Sequence, residues 1–207
     1  DVIIEPPKVR KNIKLFGTWD SNVTVTDLGL KRYINLDAVV VPKTQGRNVS
    51  TQFWRNKMHL VERLMNKLMV VGHKGKSHRY SSGRNVGKTE NMVKIVKEAF
   101  EKIEKKLGKN PIEVLVKAVE NAAPREEITA IEYGGARYPK AVECSPQRRI
   151  DLALRYIAAG TYSKCFTKKK KASDALAEEL MFAYQSNTSS NAVAKKFELE
   201  RQADSSR

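Results

Sequence analysis

NPIEVLVKAVENAAPREEITAIEYGGARYPKAVECSPQRRIDLALRYIAAG, residues 110–160, reads as helix, two-stranded ribbon, helix. Asn110 is a good N-cap, Pro111 suits the first helical position, and Glu113 stands where a capping-box partner belongs. Val114, Leu115, Ala118, Val119 and Ala122 repeat at helical spacing until Pro124 stops the run. The period then changes to two. Ile128, Ala130 and Glu132 fall on one face of a strand, and Thr129, Ile131 and Tyr133 on the other. Gly134-Gly135 permits the tight reversal of a hairpin, and Arg137, Tyr138 and Lys140 lie on the return strand. Ser145-Pro146 opens a second helix, with Ile150, Ala153, Leu154 and Ile157 as its buried stripe and Gly160 as its expected end.

The ribbon, predicted over 128–142, carries the functional information. Its tip at Gly134, Gly135 and Ala136, followed by Arg137 and Tyr138, has no large apolar cluster to bury. An isolated two-stranded ribbon is marginal in water. Two readings follow. A thin, cationic, hydrogen-bonding finger flanked by Arg148 and Arg149 fits a polyanionic partner. The alternative is an ordinary hairpin folded onto its helices, with its arginines merely solvated.

Charge favours the first reading. The 207 residues hold 39 Lys and Arg against 23 Asp and Glu, a net charge of +16. Phosphate backbones supply the matching counter-charge and release condensed cations on binding. An anionic membrane surface is disfavoured, because no helix pairs a wide Trp/Phe/Leu face with a lysine-rich one. No apolar run approaches a membrane span, and residues 1–5, DVIIE, do not resemble a secretory signal. Cys144 and Cys165 stand alone, and His59, His73 and His78 show no ligand spacing, so neither a metal site nor a disulfide is expected.

On the N-terminal side, residues 1–17 read as an extended basic arm carrying Lys8, Arg10, Lys11 and Lys14, with Ile13, Leu15 and Phe16 as anchors. Residues 18–50 hold short mixed segments in which Val23, Val25 and Leu28 alternate. A helix is predicted from about Ser50, with Trp54, Met58, Val61, Met65 and Leu68 as its stripe and Arg55, Lys57, Arg63 and Lys67 on its other faces. A second helix carries Met92, Val96, Ala99, Ile103 and Leu107 and ends at Gly108. Between them lies GHKGKSHRYSSGRNVGK, residues 72–88, with five basic residues and no acid. It imitates a phosphate-binding loop without meeting its spacing. Gly83 to Gly87-Lys88-Thr89 encloses three residues where four are required, and no hydrophobic parallel strand leads into it. A basic loop that folds against RNA accounts for the same residues, Arg84 and Lys88 foremost. Beyond the central unit come a basic linker, Lys168, Lys169, Lys170 and Lys171, and a helix expected to be capped by Ser173. Its Glu178-Glu179 pair is expected on a solvated face. A frayed charged helix is expected over 192–203.

These residues together resemble a known family. Asn110-Pro111, Ala118-Val119-Glu120-Asn121, Pro124, Gly134-Gly135, and Pro146 followed by Arg148-Arg149 and Leu152-Ala153-Leu154 are similar to the S-seven family of small-subunit ribosomal proteins, called S-five in eukaryotes. Residues 13–17 with Trp19, residues 61–66, and Lys195-Lys196 with residues 198–201 extend the resemblance over most of 13–207. Thr89 stands where the family usually has a basic residue, and the 72–83 stretch is longer than the family's loop. The resemblance implies a mainly α fold: a helical bundle with one protruding two-stranded β-ribbon and an extended basic N-terminal arm. It divides the chain into an N-terminal extension, 1–50, and an S-seven-type domain, 51–207.

The implied function is structural. Such a protein sits in the head of the small subunit, binds the 3′ major domain of the rRNA, supports head assembly, and places its ribbon near the exit-site tRNA and the mRNA path. Gly87 and Lys88 match the family's G-K motif, and Arg148 and Arg149 the pair after the ribbon. Expected partners are rRNA, other ribosomal proteins of the head and platform, exit-site tRNA and mRNA. No catalytic residue and no cofactor are expected, magnesium ions of the rRNA aside. The implied location is the cytoplasmic ribosome, with nucleolar assembly in a eukaryote. Two other classes stay open at this stage: an extra-ribosomal DNA- or RNA-binding factor using the ribbon in a groove, and a nucleotide-binding enzyme built on residues 83–89.

Overall fold

The computed structural model describes residues 13–72 and 79–207. Among these, α1 is a single turn, Leu28–Lys31, followed by a 3-10 turn at Trp54–Lys57. The longer helices are α2 (Leu60–Val70), α3 (Thr89–Leu107), α4 (Pro111–Ala122), α5 (Pro146–Cys165), α6 (Ala172–Tyr184) and α7 (Asn191–Asp204). β1 (Glu126–Tyr133) and β2 (Ala136–Glu143) pair antiparallel between α4 and α5. The architecture is the expected one, mainly α with a single ribbon. The basic arm before residue 13 lies outside the described residues.

α6 is the hub and packs on α3, α4, α5 and α7, while α2 closes against α3 and α5. Its sequence explains the position. Leu176 and Leu180 are wholly buried, and small Ala175, Ala177 and Ala183 let neighbouring helices approach closely. The stripes of the other helices complete the same core: Leu64 and Met65 from α2, Phe100 and Ile103 from α3, Leu115 from α4, Ile150, Leu154 and Ile157 from α5. Each such side chain contributes about 1.5–3 kcal/mol by leaving water. Two local signals act where expected, at the start of α4 and the end of α3. Asn110 accepts a hydrogen bond from the Ile112 N–H at 3.0 Å, and Gly108 closes α3 in the left-handed region at φ 63°.

The segment before α2 is stitched into the same core. Leu15 and Leu30 are fully buried, and Trp19 packs edge-on against Phe100 with ring centroids 5.5 Å apart. Leu28, by contrast, is 83% exposed, so the alternation expected with Val23 and Val25 fails there. Residues 26 and 27 are held from α4, where the Glu120 carboxylate accepts the N–H groups of Thr26 at 2.7 Å and Asp27 at 3.0 Å. Partial burial would raise the Glu120 pKa, but these bonds and those from the Thr26 hydroxyl and Lys117 outweigh it and hold the pKa below the usual range.

Several expectations are corrected by packing. Trp54 does not belong to the α2 stripe: the helix starts at Leu60, with His59 as its cap accepting from the Val61 N–H, and Arg63, expected on an outer face, is buried with its guanidinium 3.3 Å from Asp151. Gly160 does not end α5 but lies inside it. A Cβ there would come within 2.7 Å of the Glu179 carboxylate and 2.9 Å of Asn191, so glycine permits the close crossing of α6 and α7. Ser173 is not the cap of α6, a position taken by Lys171. It is buried and accepts from Lys102 at 2.9 Å.

Glu179 is not solvated but 0% exposed. It accepts from Lys164 Nζ at 2.6 Å, the Ser190 hydroxyl at 2.8 Å and the Ala192 N–H at 3.3 Å. One buried carboxylate thus ties α5, α6 and the start of α7 together. That tie, with Ala192, Val193 and Ala203 buried, makes α7 a docked helix rather than a frayed one.

Candidate nucleic-acid interface

Glu126 pairs with Glu143 and Tyr133 with Ala136, so the ribbon runs two residues further at its start and one further at its end than 128–142. Gly134 and Gly135 form the reversal at φ 58° and 84°, which glycine adopts without a Cβ penalty. Every residue from 129 to 140 is exposed. Register assigns the faces. Thr129, Ile131, Tyr133, Ala136, Tyr138 and Lys140 share one face, because directly opposed residues point the same way. On it Tyr133 is 81% and Tyr138 59% exposed. Glu132 and Arg137 face each other on the other side at 3.7 Å.

The root of the ribbon is pinned. Arg148 holds Glu127 through both carboxylate oxygens, with the second contact at 2.7 Å. Arg207 grips Glu126 with contacts of 2.6 and 2.7 Å, and Glu200 of α7 accepts the Arg125 N–H at 3.2 Å. The finger is therefore free along its length and fixed at its base.

The two adjacent arginines separate. The Arg148 side chain is 55% exposed despite its carboxylate partner. Arg149 is 14% exposed and clamps Asp27 at 3.0 Å and the Pro124 carbonyl at 3.2 Å. It joins α1, the end of α4 and the start of α5. Of the pair, Arg148 is the one that presents charge outward. It lines an open groove with Lys67, Ser145, Gln147, Asp151, Leu152 and Arg155. Arg155 was not singled out by the sequence, and Lys67 was expected only on an outer face of its helix, not in a groove. Arg155 had a signal, since 148, 152 and 155 recur on one helical face. Lys67 had none, because its approach is set by the packing of α2 on α5.

The remaining candidates form separate patches. Arg55 and Lys57 are exposed, with the Lys57 ammonium 4.2 Å from the Trp54 ring centre. Arg84 and Lys88 are exposed just before α3; Arg84 donates to the Tyr80 carbonyl. Lys168 and Lys169 are exposed, Lys170 is paired with Glu178, and Lys171 lies at the start of α6. Lys8, Arg10 and Lys11 lie outside the described residues, as does 73–78 of the basic loop.

Catalytic chemistry has little to work with. Burial pushes the Cys144 thiol up to about 11 and raises that of Cys165. Among the described residues no group of His, Cys, Asp or Glu is placed to hold a metal, and no helix is long and apolar enough to cross a membrane.

A sequence model of the family described as ribosomal protein S7p/S5e matches residues 30–207. The chain belongs to this family. Ribosomal protein S7p/S5e chains are structural, non-enzymatic components of the small ribosomal subunit. Similar relatives are small ribosomal subunit proteins uS7 of archaea. That of Nanoarchaeum equitans is 49% identical over 94% of this chain and 99% of its own. Those of Methanosphaera stadtmanae and Cenarchaeum symbiosum are 47% and 46% identical, each covering 98% of the relative. The S7p/S5e assignment accounts for a non-catalytic, cationic surface wrapped on a rigid helical frame.

Proposed function

We propose that the protein binds the 3′ major domain of the small-subunit rRNA in the head, supports head assembly, and extends its ribbon toward the exit-site tRNA and the mRNA path. The observation that carries this reading is the ribbon: twelve consecutive exposed residues, 129–140, rigidly rooted and buried against none of the other described residues. A ribbon without its own core is retained where a partner covers it. At its root, Lys67, Arg148 and Arg155 supply the cationic edge of a groove in which phosphates fit, and arginine can also stack on bases. Arg55, Lys57, Arg84, Lys88, Lys168 and Lys169 add separate footholds, as expected of a protein set among several RNA helices.

On this reading the partners are rRNA, neighbouring head and platform proteins, tRNA and mRNA. The chain carries no cofactor of its own beyond magnesium ions held by the RNA. It works in cytoplasmic ribosomes, with nucleolar assembly if the source is eukaryotic.

Reconstitution tests the proposal. A chain with 129–140 replaced by a Gly-Gly turn should still enter salt-washed small subunits, while crosslinks to exit-site tRNA and mRNA disappear. Failure of the intact chain to co-sediment with subunits would overturn the ribosomal placement. Crosslinks unchanged by the truncation would overturn the role of the ribbon.

A further inference from the structure

We propose that Phe53 and Trp54 form a stacking platform for an unpaired nucleobase, with Arg55 and Lys57 holding the adjoining phosphates. The inference rests on the RNA-binding reading and names a contact that reading does not supply. Phe53 sits at φ 66°, in the left-handed region, where a bulky non-glycine residue is strained. The strain is not repaid by burial, for the Phe53 ring is 60% exposed. Trp54 follows at 38% exposure and opens a short 3-10 turn. Lys57 returns over the Trp54 ring at 4.2 Å, placing a cation beside the aromatic surface. Behind them Met58 and His59 are buried and fix the turn to α2, so the rings stand on a rigid base.

The surroundings select the occupant. Between Asp37 and Glu62 the chain has no acidic residue, while Lys43, Arg47, Arg55 and Lys57 are all exposed. Two exposed aromatic rings inside an exclusively cationic segment match a ligand that is flat and polyanionic together. Single-stranded RNA is such a ligand: every base offers a π-face and every linkage a phosphate. An apolar protein partner would gain from the rings but would have to leave four cations without counter-charge.

The test uses the full chain and two 12-nucleotide single-stranded probes of equal charge, oligoadenylate and its fully abasic counterpart. The chain holds two tryptophans, and Trp19 is buried at 4% exposure, so quenching by ligand reports on Trp54. Oligoadenylate should quench the emission and bind about ten-fold more tightly than the abasic strand, whereas the abasic strand should leave the emission unchanged. Phe53→Gly, which keeps the backbone conformation and deletes the ring, combined with Trp54→Ala, should bring the two affinities together and leave binding of the abasic strand as it was. Phe53→Tyr should restore the preference when Trp54 is retained. Lys57→Gln should lower the slope of log affinity against log salt by about one without abolishing the preference.

A base preference that survives the double substitution, or emission unmoved by oligoadenylate in the unsubstituted chain, would overturn the platform. In both cases, binding of the abasic strand with a steep salt dependence would leave the RNA-binding reading standing. Absence of binding to either strand would overturn both. The quenching measurement needs no substitution, so it decides the matter even if the double variant fails to fold.

Discussion

Phe100, Leu64, Met65 and Leu154 in the helical body are wholly buried, whereas along the ribbon Tyr133 and Tyr138 are 81% and 59% exposed. The body is closed by its own side chains. Among the described residues the ribbon is held where it leaves the body, by Arg148 on Glu127, Arg207 on Glu126 and Glu200 on the Arg125 N–H. The difference teaches that stability and function occupy separate parts of this chain. Substitutions in the body should read out as folding free energy. Substitutions in the ribbon and its root should read out as partner affinity.

The largest expected effect is in the body. Phe100→Ala should cost about 3–5 kcal/mol in urea unfolding, since it empties the ring position on which Trp19 and the α6 face close. If it costs no more than Tyr138→Ala, expected within about 0.5 kcal/mol, the division fails.

Glu179→Ala should cost about 3 kcal/mol, because Lys164, Ser190 and the Ala192 N–H lose a buried acceptor together. Its signature should be early loss of α7 protection in hydrogen exchange. Uniform exchange would mean that α7 docks by other contacts.

A titration sharpens the comparison. Burial lowers the His59 pKa from 6.5 to about 4, against the opposing pull of Asp37. Above pH 6.5 the ring is neutral in both the folded and unfolded states, and its contribution to stability is fully present. As pH falls from 6.5 toward 4 the unfolded chain takes up the proton first, so stability declines by about 3 kcal/mol across that window. Protonation also removes the acceptor for the Val61 N–H. His59→Asn, which keeps a cap without a titrating group, should flatten the dependence of the urea midpoint on pH; an unchanged profile would assign the decline elsewhere.

Smaller effects on stability come from the adjacent arginines, which divide the two roles within one turn of helix. Arg149→Ala should cost about 1–2 kcal/mol by freeing Asp27 and the Pro124 carbonyl. Arg148→Ala should cost under about 1 kcal/mol, its pair being exposed, yet lower the salt slope of rRNA binding by about one. Reversed phenotypes would exchange their assignments.

The central stretch was legible in its residues because its signals are local. A cap with proline at the first helical position, a change of hydrophobic period at Pro124 and a Gly-Gly reversal act within a few residues of themselves. They specify helix, ribbon and helix without help from the rest of the chain. The positive charge and the exposed tip of the ribbon were legible for the same reason.

Contacts made far along the sequence were not legible. Nothing near Gly160 distinguishes a helix terminator from a crossing point, because the carboxylate it makes room for is Glu179. Nothing near Glu179 announces burial, since its partners come from 164, 190 and 192. Arg148 and Arg149 carry the same side chain side by side, but one turns toward Glu127 at the ribbon root and the other toward Asp27. Sequence alone determined the order of helices and ribbon, though not the start of α2 or the end of α5, because that order is settled by backbone conformation and neighbouring side chains. Tertiary structure alone decided which charges are locked inside and which face a partner, because that depends on what distant segments place within hydrogen-bond reach.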